Sequence, residues 1–180
     1  MTSDISVVAL SVQIALVATT VTLPVGMLLA WLLVRKNFRG KFVLDVFVSL
    51  PLALPPVVVG YALLWLVGTN GWIGRLSESV FGSTLAFTWI AAALAAAIVS
   101  LPLVVRSFAA SLAGVDPRLE VAARGLGAGS IRTLLTITLP LAYRGVIAGV
   151  LLGFVRALSE FGATIIVAGN IPGRTQTLPS

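Results

Sequence analysis

The sequence contains no cysteine and no histidine. Without cysteine there is no disulfide framework, no thiolate metal site and no thiol nucleophile. Without histidine the commonest metal ligand and the commonest general base are missing as well. Charge is scarce: 10% of the 180 residues are Asp, Glu, Lys or Arg, against about 25% in an ordinary soluble domain. That scarcity argues against a water-soluble globule. Intrinsic disorder is excluded by the opposite feature, because 58% of the chain is hydrophobic and its mean hydropathy is +1.09. No metal, no cofactor and no catalytic residue are expected. The net charge of +6, from 12 Lys and Arg against 6 Asp and Glu, would ordinarily prompt a search for nucleic acid. Here the basic residues sit between apolar runs, so the charge reads as topology and no nucleic-acid partner is expected.

What the chain does have is long uncharged stretches. Ile5–Val34 runs 30 residues without a charge, Val46–Gly74 runs 29 and Ser79–Val105 runs 27. A fourth stretch, Gly145–Gly169, is 25 residues interrupted only by Arg156 and Glu160. About 20 apolar residues suffice to cross the hydrocarbon core as a helix. The first run is longer than a removable signal peptide and carries its basic flank at the wrong end. Lipid offers no partner to backbone polar groups, so the spans must be helical or form a closed barrel. Barrel strands would alternate over segments of about ten residues, and these runs do not. The expected fold is an all-α polytopic membrane bundle in a single domain over residues 1–180. Its helices are expected near 7–34, 46–67, 85–108 and 141–168, with a loop at 111–140.

Lys and Arg set the expected orientation. Arg35, Lys36, Arg39 and Lys41 follow the first span, and Arg106, Arg118, Arg124, Arg132 and Arg144 flank the third loop. Arg75 stands alone in the second loop and Arg174 alone in the tail. This asymmetry puts the N-terminus outside the cytoplasm and the 111–140 loop inside. The sequence stops at Leu178-Pro179-Ser180 without a polar terminal segment, which is expected of a chain that is C-terminally truncated.

Pro51, Pro55, Pro56 and Gly60 punctuate the second span. Each proline removes a backbone donor and clashes with the preceding turn. Two readings stand: an entry kink at the membrane surface, or a broken helix lining a pathway. Arg156 and Glu160 are spaced i, i+4 and can meet on one helical face. A lone charge at the bilayer centre costs about 2.5–3.5 kcal/mol on insertion scales, so the two are expected to pair within the protein. The pair either shapes a pathway or subunit packing, or fixes helix orientation as a neutralised couple. Gly162 beside it permits close helix approach. Asn170–Gln176 has Pro-Gly turn chemistry and reads as an external loop, a plain connector or a contact for a soluble partner.

The 111–140 loop is the most informative segment. Asp116-Pro117 reads as an N-cap followed by proline at the first helical position. Leu119, Ala122, Ala123 and Leu126 recur at i, i+3, i+4, i+7 and make one apolar face. Gly125, Gly127 and Gly129 break that helix, and Ser130 is placed to cap a second. The result is a helix–glycine turn–helix that either receives force from a soluble partner or lies on the lipid surface. The glycines follow no strand and lack a lysine, so they read as a turn; no G-x-x-x-x-G-K-[ST] phosphate loop is present.

Glu120-Val-Ala-Ala-Arg-Gly-Leu-Gly127-Ala, followed by Ile137-Thr-Leu-Pro140, resembles the EAA signature of permease subunits in binding-protein-dependent ABC importers. Arg35–Lys41, Leu50–Gly60, Arg156–Ile165 and Gly169–Pro179 are similar to the molybdate permease branch, and sulfate and thiosulfate permeases are similar in the same segments. The resemblance implies a homodimeric permease in the cell membrane of a prokaryote. Two cytoplasmic ABC ATPase subunits would dock below, a molybdate-binding protein outside, and lipid around. It would import molybdate or tungstate by alternating access, with ATP hydrolysed by the partner. It implies that Glu120, Ala122, Ala123, Gly127, Ile137, Leu139 and Pro140 belong to the ATPase-coupling surface. Pro55, Pro56, Gly60, Arg156, Glu160 and Gly162 remain pathway or packing candidates. One departure stands out. The family's glutamate lies six residues before the glycine, where this chain has Val121. Glu120, one position earlier, turns its carboxylate about 100° away on a helix. Family members carry at least one further membrane helix beyond the end of this sequence. A sulfate/thiosulfate permease and a non-transporting membrane scaffold are the competing expectations, and the capped loop speaks against the scaffold.

Overall fold

The computed structural model describes residues 2–68, 71, 74–75, 86–169, 171, 175 and 177–178. The described regular structure is helical. In chain order the helices are α1 (Thr2–Arg35), α2 (Lys41–Ala53), α3 (Pro56–Val67), α4 (Trp89–Ala113), α5 (Pro117–Gly125) and α6 (Ser130–Thr133). A π-helical turn (Leu134–Thr138), α7 (Leu139–Leu158) and α8 (Gly162–Ala168) follow. Residues 5–35, 89–113 and the continuous stretch 130–158 are long and apolar enough to cross a membrane.

The expected helix at 46–67 is instead two helices, α2 and α3, bent by 112°. The cause is local. A residue before proline is driven out of the helical region, and the tandem Pro55-Pro56 applies that rule twice. Leu54 is extended (φ −90°, ψ 144°), and so is Pro55 (ψ 137°). Pro56 then occupies the first turn of α3, where its missing N–H is tolerated. Pro51, in contrast, stays inside α2. The expected helix at 141–168 is also divided, since α7 ends at Leu158 and α8 starts at Gly162. The third helix begins at Trp89, where the Thr88 hydroxyl accepts the Ala91 N–H at 3.3 Å. It runs on to Ala113, which places Arg106 within a helix and starts the loop at Gly114. The expected helix start at residue 85, Arg174, and most of the expected 170–176 turn lie outside the described residues.

α4 is the hub of the bundle and packs on α1, α7, α8, α2 and α3. Its first half is rich in alanine, with Ala91, Ala92, Ala93, Ala95, Ala96 and Ala97 all buried. Small side chains let helix backbones approach closely where lipid tails supply no hydrophobic driving force. α7 answers with its own row of small residues. Gly145 faces Ser111, Gly149 faces Phe108 and Gly153 faces Val104, with buried Ala142 and Ala157 extending the row. Val104, Val105, Phe108 and Leu112 of α4, Leu33 of α1 and Val48 of α2 form the larger core cluster. Toward the other end of the bundle, Leu178 N–H donates to Ser11 Oγ of α1 at 2.8 Å.

Candidate functional site

The segment following α4 carries the signature residues, and its two turns are tightly specified. Asp116 Oδ1 accepts the Arg118 N–H at 2.9 Å and caps α5, with Pro117 in the first helical turn. At the other end Ala128 N–H donates to Ala123 O at 3.1 Å, and Gly127 N–H donates to Arg124 O at 3.0 Å. These two bonds are the pair that defines a Schellman cap. The cap requires a left-handed residue at Gly127, whose φ is +87°. A side chain there would meet nothing within 4 Å, so backbone conformation rather than crowding selects glycine.

The apolar face read from Leu119, Ala122, Ala123 and Leu126 does not turn inward as a unit. Only Ala123 of these four is buried. Leu119, Val121, Leu126 (91% exposed) and Ile131 stand outside. The face α5 presents to the rest of the chain is Glu120 and Ala123. An exposed apolar patch of this kind marks contact with another protein or with the membrane.

Glu120 is buried, and its Oε1 accepts hydrogen bonds from Arg35 Nε and Thr138 Oγ1 and forms an ion pair with Arg35 Nη2. Arg35 Nε and Nη2 both lie 2.9 Å away, and Thr138 Oγ1 lies 2.8 Å away. Arg35 Nη2 also donates to Leu112 O at 2.9 Å and to Val115 O at 3.0 Å. It thereby reaches a carbonyl of the last turn of α4 and one just beyond that helix. One guanidinium thus ties the end of α1 to the end of α4 and to α5. Thr138 adds the start of α7. A cavity of about 250 Å³ opens beside the cluster, with Trp31, Lys36 and Arg124 on its walls. Lys36 Nζ lies 5.0 Å from the Trp31 ring centroid.

Ile137, Leu139 and Pro140 lie on one continuous helical stretch from Ser130 to Leu158. Gly129, not Ser130, occupies the N-cap, and no side chain caps that end. Pro140 lies in the first turn of α7, within a helical stretch that runs on unbroken from Ser130. The π turn just before it makes the difference, with Leu139 N–H donating to Leu134 O, five residues back. A wider turn makes room for a proline ring that would strike the carbonyl four residues earlier in a regular helix.

The remaining candidates gather at the two helix breaks. A Cβ on Gly60 would lie 2.8 Å from both Cα and O of Ala163, and one on Gly162 would lie 3.0 Å from Pro56 Cβ. Pro56 and Gly60 of α3 therefore pack against Gly162 and Ala163 of α8, while Pro55 makes the bend. Arg156 Nη1 pairs with Glu160 Oε2 at 2.7 Å, and Glu160 Oε1 accepts the Ala163 N–H at 2.8 Å. The pair expected within one helix thus straddles the end of α7 and the start of α8. Glu160, almost fully buried, supplies an acceptor to the buried Ala163 N–H in the first turn of α8. Sequence reasoning misses Arg35 and Thr138 as partners of Glu120. In the sequence Arg35 reads as a topology charge at the start of a segment similar to the molybdate permease branch, with no partner indicated, and Thr138 sits inside the signature without being one of its fixed residues.

Among the described residues the regular structure is helical, with several helices long and apolar enough to span a membrane and a capped loop projecting an apolar surface, the build of a multi-pass membrane protein. Residues 22–180 match the family described as binding-protein-dependent transport system inner membrane component, and the chain belongs to that family. It is 53% identical over 173 residues to the molybdenum transport system permease protein ModB of Escherichia coli, covering 96% of this chain and 76% of that one. With the protein of the same name in Haemophilus influenzae it shares 49% over 176 residues, 98% of this chain and 77% of that one. A probable sulfate transport system permease protein, cysT, of Chlorokybus atmophyticus is 41% identical over 175 residues, 97% of this chain and 61% of that one. The fold is shared with the crystal structure of an amino acid ABC transporter with histidines, at a TM-score of 0.64 and 20% identity, over 94% of this chain and 73% of that one. As a member of this family the chain is a permease component and not an ATPase.

Proposed function

We propose that this chain is the membrane-spanning subunit of an ATP-driven importer that carries molybdate or tungstate into the cytoplasm. The observation that carries the substrate is the 53% identity, over nearly the whole chain, to a molybdenum transport permease. The mechanics are supported by α5, a short helix fixed at both ends whose Val121 and Leu126 point away from the bundle. In this reading two copies of the chain enclose one path and two ATPase subunits grip the α5–α6 loops from the cytoplasm. A solute-binding protein delivers the oxyanion from outside, where the N-terminus lies. Ala122, Ala123, Gly127, Ile137, Leu139 and Pro140 form or shape the gripped surface. Closure of the ATPase pair moves the loops, and the bundle switches between two packings. Arg156, already held by Glu160, contributes packing at a helix break rather than a free charge to an anion path. The likeness to a sulfate permease supports a second reading, in which the cargo is sulfate or thiosulfate.

Uptake of labelled molybdate in the source cell separates the two. Deleting the gene is expected to abolish uptake, and in the parent tungstate but not sulfate is expected to compete. Intact molybdate uptake with failing sulfate uptake would move the assignment to the second reading. Loss of neither would remove the importer reading for both anions.

A further inference from the structure

We propose that Glu120 is a positioning residue that locks α5 to the membrane helices, so that force applied to α5 reaches α1 through Arg35. This rests on the importer reading above. Asp116 and Pro117 fix the start of α5, and the Schellman turn at Gly127 fixes its end, but these bonds are local to the segment and do not tie it to α1. What stiffens the connection is not the backbone but the cluster on Glu120 Oε1. Arg35 Nε and Nη2 and Thr138 Oγ1 converge there within 2.9 Å. Arg35 Nη2 simultaneously holds Leu112 O and Val115 O. The ends of α1 and α4, the body of α5 and the entry to α7 are thereby one rigid piece. A buried ion pair cannot yield gradually, because a displaced partner is left desolvated and unpaired. The carboxylate is turned into the protein, while the position the family reserves for its glutamate holds the exposed Val121. Glu120 therefore acts on the bundle and not on the ATPase surface.

The cysteine-free sequence gives a direct test. Spin labels on Lys36→Cys and Arg118→Cys, both exposed positions, report the distance between the end of α1 and α5. In the purified full chain the distribution is expected to be narrow, and in the assembled complex it stays the same with and without ATP. Glu120→Gln is expected to broaden it, to keep ATPase pull-down, and to lower transport per ATP hydrolysed by about tenfold, within the usual range of coupling between sites. A parent-like distribution in Glu120→Gln would overturn the proposal. So would unchanged transport per ATP, or loss of ATPase binding with the distribution unaltered. If Glu120→Gln does not accumulate, Thr138→Val removes one of the two hydrogen bonds to Glu120 Oε1 alone. It should broaden the distribution by less, and no broadening would also overturn the lock. A parent chain that binds no ATPase counts against the proposed function, while the label distances in the purified chain still decide the lock.

Discussion

Gly125 and Gly127 are two residues apart, and a Cβ on either would meet no atom within 4 Å, yet only Gly127 has a positive φ. Gly127→Ala should cost about 1–2 kcal/mol, the penalty of a left-handed L-residue. Gly125→Ala, within α5, should be neutral or stabilising by up to about 1 kcal/mol. Thermal unfolding in detergent of the two variants checks this, and Gly127→Val should in addition fail to pull down an ATPase partner. The two arginine pairs offer a similar contrast. Arg35 and Glu120 have side chains 13% and 8% exposed, so Arg35→Ala, which strands a buried carboxylate, should cost about 3–5 kcal/mol. Arg106 and Asp45 are 48% and 38% exposed, and Arg106→Ala should cost about 0–1 kcal/mol. Equal losses in the two unfolding curves would show that burial does not govern these pairs.

Among the elements, α3 and α8 are joined by backbone, and α4 and α7 by side chains. A methyl on Gly60 would press on the Cα and O of Ala163, neither of which can rotate away, whereas one on Gly153 would lie 2.5 Å from the Cγ2 of Val104, a side chain. Gly60→Ala should therefore lower the melting temperature more than Gly153→Ala, with overpacking of this kind costing about 1–3 kcal/mol. The reverse order would mean that α8 shifts freely against α3. The presence of these helices was legible in the uncharged runs, because the bilayer demands that pattern from any spanning helix. Their breaks were legible only in part. Pro55-Pro56 announced an interruption, but the 112° bend depends on what α3 packs against. Nothing local announced the end of α7, since Ser159 and Phe161 are compatible with a helix. Helical geometry gave the turn of Glu120 away from the family's position, but not that this turn buries it. Nor did it give the partner Arg35, because that residue lies 85 residues away in the chain and only tertiary packing brings it there. The π turn was hidden for a related reason: Pro140 advertises an obstacle, not how a helix accommodates it.

For the molecule as a whole, the proposed orientation is open to a labelling experiment that the lack of native thiols makes clean. Arg39→Cys and Arg118→Cys should react with an impermeant maleimide only from the cytoplasmic side, and Arg75→Cys only from the outside, as the placement of the basic residues requires. Reaction of Arg39→Cys and Arg75→Cys from the same side would show that α2 and α3 enter and leave the bilayer by one face, as a re-entrant pair.

The central position of α4 also governs how the protein must be made. Its companions α1, α2 and α3 precede it in the chain, but α7 and α8, which cover the rest of its surface, do not yet exist when Ala113 is polymerised. At about 5–20 residues per second, a nascent chain needs several seconds to travel from Ala113 to Leu158. Throughout that interval the groove around Val104 and Phe108 that later receives the α7 glycines is lined by lipid or by the insertion machinery. Biogenesis of this permease component is therefore a matter of timing as well as hydropathy, and a translational pause between α4 and α7 would prolong the stage at which the α7-facing surface of α4 has no occupant.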